Sequence, residues 1–178
     1  QVNSLAGLKS AIGSALDGDV VELLNCVDAG SIYNLGTTGV TYPARFINLK
    51  LRKATGNTPV MFGSLRSAAA TGRMKMKTYT VDSLTWNATG MTDSENAAPF
   101  YMQAADSVMT ALNLSNCSFI NMGKSGGARI IDANSCDKSV VKAFNFAGNL
   151  VDNFGYTSAD SVHGQTFMQW RNSGTYEF

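Results

Sequence analysis

Tyr101-Met102-Gln103-Ala104-Ala105-Asp106-Ser107 and Phe167-Met168-Gln169-Trp170-Arg171-Asn172-Ser173 are two versions of one phrase. A looser third copy, Arg129-Ile130-Ile131-Asp132-Ala133-Asn134-Ser135, lies between them. The matched starts at 101, 129 and 167 are spaced by 28 and 38 residues. A second block is interleaved, with Asn113-Leu114-Ser115-Asn116-Cys117-Ser118-Phe119-Ile120-Asn121 matching Asn145-Phe146-Ala147-Gly148-Asn149-Leu150-Val151-Asp152-Asn153 at an offset of 32. Self-similarity at a period of a few tens of residues is the signature of stacked repeats. Each unit alternates apolar and polar residues and carries almost no helix-length pattern, so the repeating element is a strand-bearing coil. The expectation is an all-β chain, a single-stranded β-solenoid.

Composition agrees with that expectation. Charged residues make up 15% of the 178, against roughly 25% in ordinary soluble domains. Gly, Ser, Thr and Asn fill the difference, as corners of an uncharged coil would. The net charge of +1 offers no global field to draw in nucleic acid or a membrane surface. No run of about 18 apolar residues exists, so no membrane span is expected. Three cysteines, Cys26, Cys117 and Cys136, lack metal-ligand spacing and read as unpaired core residues.

From the N-terminus, Leu5, Leu8, Ile12 and Leu16 mark one apolar helical face. Asn3 or Ser4 is the N-cap, and Gly18 ends the segment. Residues 1–18 are therefore expected to be a helical cap, with coils over 19–178. Val20-Val21-Glu22-Leu23-Leu24 starts the first strand, and Phe46 to Arg52 alternates with Ile47, Leu49 and Leu51 inward. Pro59 to Gly63, Arg73 to Lys77 and Ser83 to Ala88 supply further strands. No linker or composition break divides the chain, so 1–178 reads as one domain. Its last residues stop in mid-strand, which predicts a continuation or a partner covering that edge.

Gly18-Asp19-Val20-Val21-Glu22-Leu23, Leu49-Lys50-Leu51 and Asn57-Thr58-Pro59-Val60-Met61-Phe62-Gly63 resemble pectate-lyase-like right-handed parallel β-helices. More narrowly, the chain resembles uncharacterised β-helix domains of secreted or lipid-anchored proteins of polysaccharide-using gut anaerobes. The resemblance implies a right-handed parallel β-helix with a short N-terminal capping helix, exported to the cell surface or beyond. Pectate lyases bind calcium through clustered acids, and here the acids are scattered. Lyase activity is not implied with them.

Counting inward positions through the repeat puts Met102, Ile130 and Met168 in the core and Ile131 outside. Tyr101, Arg129 and Phe167 then form an outer strip spanning roughly 10 Å, flanked by Gln103, Gln169 and Arg171. Aromatic faces pack on sugar rings, Gln matches hydroxyls and Arg matches carboxylates, so this strip is a candidate glycan platform. Ordinary cross-strand packing with Arg129 between rings is the alternative. A second candidate is Lys50, Arg52, Arg73, Lys75 and Lys77. The offset of 23 from Lys50 to Arg73 and from Arg52 to Lys75 permits stacked cations, a fit for a uronate or sulfate chain. Solvated cations that block edge aggregation are the competing account, and the 46–52 strand has 83–88 as an alternative partner. The repeated asparagines, Asn113, Asn116, Asn121, Asn145 and Asn153, read as a hydrogen-bonded ladder.

His163 has no partner at a catalytic spacing, and no phosphate loop, zinc motif or nucleophile elbow is present. No metal or cofactor is expected. Asp82-Ser83-Leu84, Asp106-Ser107-Val108 and Asp160-Ser161-Val162 are similar to the short acceptor motif with which such anaerobes O-glycosylate exported proteins. Ser107 and Ser161 are the candidate acceptors. Together these readings predict an extracellular, non-catalytic module that binds polysaccharide or is displayed on it. The alternatives are a polysaccharide lyase or hydrolase using Arg129, Asp132 and Lys142, and a structural adhesin or fibre segment.

Overall fold

A computed structural model describes residues 1–36, 39–43, 45–66, 74–89, 99–102, 108–122, 130–134, 143–152 and 168–171; at 101–102, 132–134 and 168–171 the backbone alone is described. The chain opens with the helix α1 (Leu5–Ser14). Ser4 is its cap: the backbone is extended there, and the hydroxyl accepts from the Gly7 N–H at 3.2 Å. The Asp28 carboxylate accepts from the Leu5 N–H at 2.7 Å, so two of the orphan donors of the first turn are met. Leu8 and Ile12, four residues apart, are fully buried. The helix stops at Ser14 rather than Gly18; Gly18 takes φ +90° in the turn that follows.

The described strands are β1 (Asp19–Leu23), β2 (Ile32–Gly36), β3 (Ile47–Lys53), β4 (Val60–Gly63), β5 (Leu65–Arg66), β6 (Lys75–Asp82) and β7 (Thr85–Asn87). They continue with β8 (Phe100–Met102), β9 (Val108–Ser115), β10 (Ser118–Ile120), β11 (Ile131–Asn134), β12 (Ala143–Ala147), β13 (Leu150–Asp152) and β14 (Met168–Arg171). A first sheet runs β1-β3-β6-β9-β12, a second β13-β10-β7-β4-β2, and a third, of four strands, β14-β11-β8-β5. Every described pairing is parallel.

The expectation of a right-handed, single-stranded parallel β-helix is corrected here. The chain is mostly strands in parallel sheets with one helix; the sheets are open, and a closed solenoid is not shown. In the first sheet Val20 pairs with Lys50, Lys50 with Thr80, Thr80 with Asn113 and Asn113 with Asn145, at offsets of 30, 30, 33 and 32 residues. Period-two alternation reports only that a strand buries one face. It carries no information about closure or hand.

One register is corrected with it. Ile131 pairs with Phe100 and Met168, and Asp132 pairs with Tyr101 and Gln169. Met102, Ile130 and Met168 therefore share no column. Ile131, expected outside, is fully buried, as is Ile130. The phrase repeats in letters, but the loops before each copy differ in length, so matching letters do not mark matching strand positions. The 32-residue block behaves otherwise: Asn113 pairs with Asn145, and Phe119 with Val151.

One apolar cluster joins the inner faces: Leu49, Leu51, Tyr79 and Leu112 from the first sheet, Tyr33, Met61, Trp86 and Phe119 from the second, Leu65, Phe100 and Ile131 from the third, and Leu8 and Ile12 from the helix. Aromatic rings run through it. Tyr42, Tyr79 and Phe100 meet edge to face at 6.2 and 6.1 Å, and Trp86, Phe119 and Phe146 stack at 5.7 and 5.9 Å. Between β2 and β4 the backbones come very close: a Cβ on Gly63 would sit 2.8 Å from the Gly36 nitrogen. Only glycine fits at that point, and its φ of +83° asks for glycine as well.

Candidate functional site

The burial of the inner face turns alternate residues of the first sheet outward, and parallel register stacks them into rows across the strands. The central row is Val20, Lys50, Thr80, Asn113 and Asn145. On one side of it lie Asn48, Thr78, Ala111 and Ala143, and on the other Glu22, Arg52, Asp82, Ser115 and Ala147. The side chains of the Asn48 row shrink to methyl groups from β9 onward, so that row forms the low floor beside a wall of amides and hydroxyls. At its start, Gly18, Asp19, Asn48, Leu49, Lys50, Thr78 and Thr80 line a shallow depression of about 190 Å³. Val20, at the edge, is 47% exposed and adds an apolar rim.

The polar wall is pre-oriented. Asn145 Nδ2 donates to Asn113 Oδ1 at 2.7 Å, and Asn113 Nδ2 donates to Thr80 Oγ1 at 3.3 Å. This is the asparagine ladder read from the sequence, though two of its rungs belong elsewhere. Asn116 Nδ2 donates to Asp82 at 3.2 Å. Asn121 Nδ2 donates to Thr89 Oγ1 at 2.7 Å, at the end of the second sheet. Asn153 lies outside the described residues. In the ladder each amide spends one N–H on its neighbour, and exposed Asn145 keeps its second N–H and its oxygen free of partners among the described residues.

The flanking charges are paired. Lys50 Nζ lies 3.2 Å from Asp82, Arg52 reaches Glu22 through two nitrogens, at 2.9 and 2.6 Å, and Lys77 Nζ lies 3.4 Å from Asp17. Desolvation at the sheet surface pushes the Asp82 carboxyl up, but hydrogen bonds from Asn116, Lys50, Ser115 and Ser83 together outweigh it and hold it below its ordinary value. Asp17 is lowered first by the Asn48 backbone N–H and then by Lys77 among others, and Glu22 by Gln1 and Arg52.

The expected stack of cations is thereby corrected. Lys50 pairs with Thr80 and Arg52 with Asp82, not with Arg73 and Lys75. A register shift between Ile47 and Asn48 leaves Lys77 without a β3 partner and turns it toward Asp17. Lys75 sits at the start of β6 opposite Val108 and forms no ion pair among the described residues. Arg73 lies outside them.

Of the expected glycan platform, only Tyr101, Gln169 and Arg171 fall on described backbone, with Tyr101 and Gln169 in one row through Asp132. Tyr101 sits in β8, Gln169 and Arg171 in β14, and Arg171 pairs with Asn134. Gln103, Arg129 and Phe167 lie outside the described residues, as do Ser107, Ser161, His163 and Lys142. Asp132, from the catalytic alternative, is a β11 position opposite Tyr101. Ser83 occupies a tight corner at φ +59° with its hydroxyl on Asp82.

Among the described residues no group of three or more His, Cys, Asp or Glu is placed to hold a metal, and no helix is long and apolar enough to cross a membrane. Cys26 and Cys117 are buried and unpaired. Burial is the main reason the Cys117 thiol is raised to about 11, which leaves it protonated and unreactive near neutral pH. No protein-family model, curated protein or solved structure matches this chain, so nothing identifies it with the pectate-lyase-like family.

Thr78, Thr80 and the depression beside them escaped sequence reading. The signal for Asn113 and Asn145 was the 32-residue offset; Thr80 carries no such mark, because its row is set by pairing between distant strands.

Proposed function

We propose that this protein is a non-catalytic carbohydrate-binding module, with a polysaccharide lying along the outer face of the first sheet. The observation that carries this reading is the Thr80–Asn113–Asn145 ladder beside the floor of Thr78, Ala111 and Ala143. Sugar hydroxyls both donate and accept, and so do fixed carboxamides and hydroxyls at regular intervals. Hydrogen bonds held in place before binding cost less ordering entropy than mobile ones. The floor runs across four strands, β3 to β12, about 14 Å at the usual strand separation. That is room for several sugar rings in a row. A polysaccharide ligand also implies an exported protein.

Titration calorimetry against a panel of soluble polysaccharides tests the proposal. Replacing Asn113 or Asn145 by Ala removes hydrogen bonds worth about 1 kcal/mol each, so affinity should fall roughly fivefold or more per substitution. Both variants should melt close to the parent. Unchanged affinity in both would remove the glycan from this face.

A further inference from the structure

The charges around the trough select among polysaccharides. Resting on the reading of this face as a glycan site, we infer that its ligand is an uncharged polysaccharide rather than a uronate or a sulfated chain. Three of the described cations beside the trough already have a carboxylate, Lys50 with Asp82, Arg52 with Glu22 and Lys77 with Asp17, while Lys75, farther along at the start of β6, has no ion pair among the described residues. An incoming carboxylate would have to displace one of these acids and would meet its charge. The Lys50 side chain is about a third exposed, and Asp82 is fixed by further donors, Ser83 Oγ and Ser115 Oγ at 3.1 Å each and Asn116 Nδ2 at 3.2 Å. Asp82 is thus tied down by four groups and is not easily moved aside. The central row between the paired charges ends in neutral donors and acceptors, Thr80, Asn113 and Asn145.

The geometry also gives the direction. The floor lies across the strands, so the chain follows the ladder at right angles to them, each ring facing a carboxamide or a hydroxyl. Charged groups would meet Lys50 at the start of the central row, where Asp82 already holds it, and the flanks, where Glu22 lies beside Arg52 and Asp17 beside Lys77.

The test compares cellohexaose, xylohexaose and mannohexaose with hexagalacturonate and a sulfated hexasaccharide, by calorimetry at low salt and again at 0.5 M NaCl. The inference predicts binding of at least one neutral hexasaccharide, insensitive to salt and at least tenfold tighter than either acidic one. Asp82→Asn, which frees Lys50 without changing shape, should raise affinity for hexagalacturonate at least threefold in the low-salt arm. Tighter, salt-sensitive binding of an acidic chain by the parent protein would overturn the inference and leave a carbohydrate module standing. Binding of none of the five would overturn the carbohydrate reading itself.

Discussion

Ile130 and Ile131 are adjacent, identical and both fully buried, so nothing in their local pattern tells which belongs to the strand. Pairing of Ile131 with Phe100 and Met168 settles it. A charge at Ile131 would be buried without a partner, which costs several kcal/mol. Ile131→Asp should therefore lower unfolding free energy by about 3 kcal/mol or more in a urea titration; a loss under about 1 kcal/mol would put the residue on the surface. Asparagines were more legible than isoleucines. Asn113 and Asn145 recur with their whole neighbourhood, and the pairing keeps that offset. Lys50 and Arg52 show the limit in the other direction. Their alternation marked the outer face correctly, yet their partners, Asp82 and Glu22, come from strands about 30 residues away, which no spacing of cations reveals.

At the scale of elements, α1, β1, β3, β4 and β7 lie where alternation, capping and turn residues predict them, within a few residues at their ends, whereas β6, expected over 73–77, runs from Lys75 to Asp82. β2 and β5 were missed. Ile32-Tyr33-Asn34-Leu35-Gly36 alternates but sits between two glycines and a turn, and Leu65-Arg66 is too short to carry a period. Pairing between parallel strands depends on contacts across tens of residues and on irregularities such as the shift at Ile47/Asn48, so the 23-residue offset of the cations had no force. Gly63 joins the two kinds of information. Its glycine is visible in sequence, but the reason, a backbone 2.8 Å from where a Cβ would go, belongs to the β2–β4 pair. Gly63→Ala should cost about 2 kcal/mol or more, from the positive φ and the contact combined. Thermal unfolding checks this, and an unchanged midpoint would mean that β2 and β4 do not approach as described.

At the scale of the molecule, three parallel sheets and a helix turn their apolar faces to one core, which leaves the opposite face of the first sheet free to present rows of side chains. The composition foreshadowed such a surface, poor in charge and rich in Asn, Ser and Thr. It did not say that the few charges present would neutralise one another along the rim. Tyr42, Tyr79, Trp86, Phe100 and Phe119 are buried in the core, so none of these rings is open on the first sheet. On the proposed reading, recognition by the first sheet falls to amides and hydroxyls. The most direct test follows the side-chain amide signals of the ¹⁵N-labelled protein by NMR while a neutral hexasaccharide is added. The account predicts saturable shifts at Asn48, Asn113 and Asn145, with Asn57 and Asn87, which lie off this face, unmoved. Shifts confined to residues outside the first sheet, or none with any neutral glycan, would contradict it.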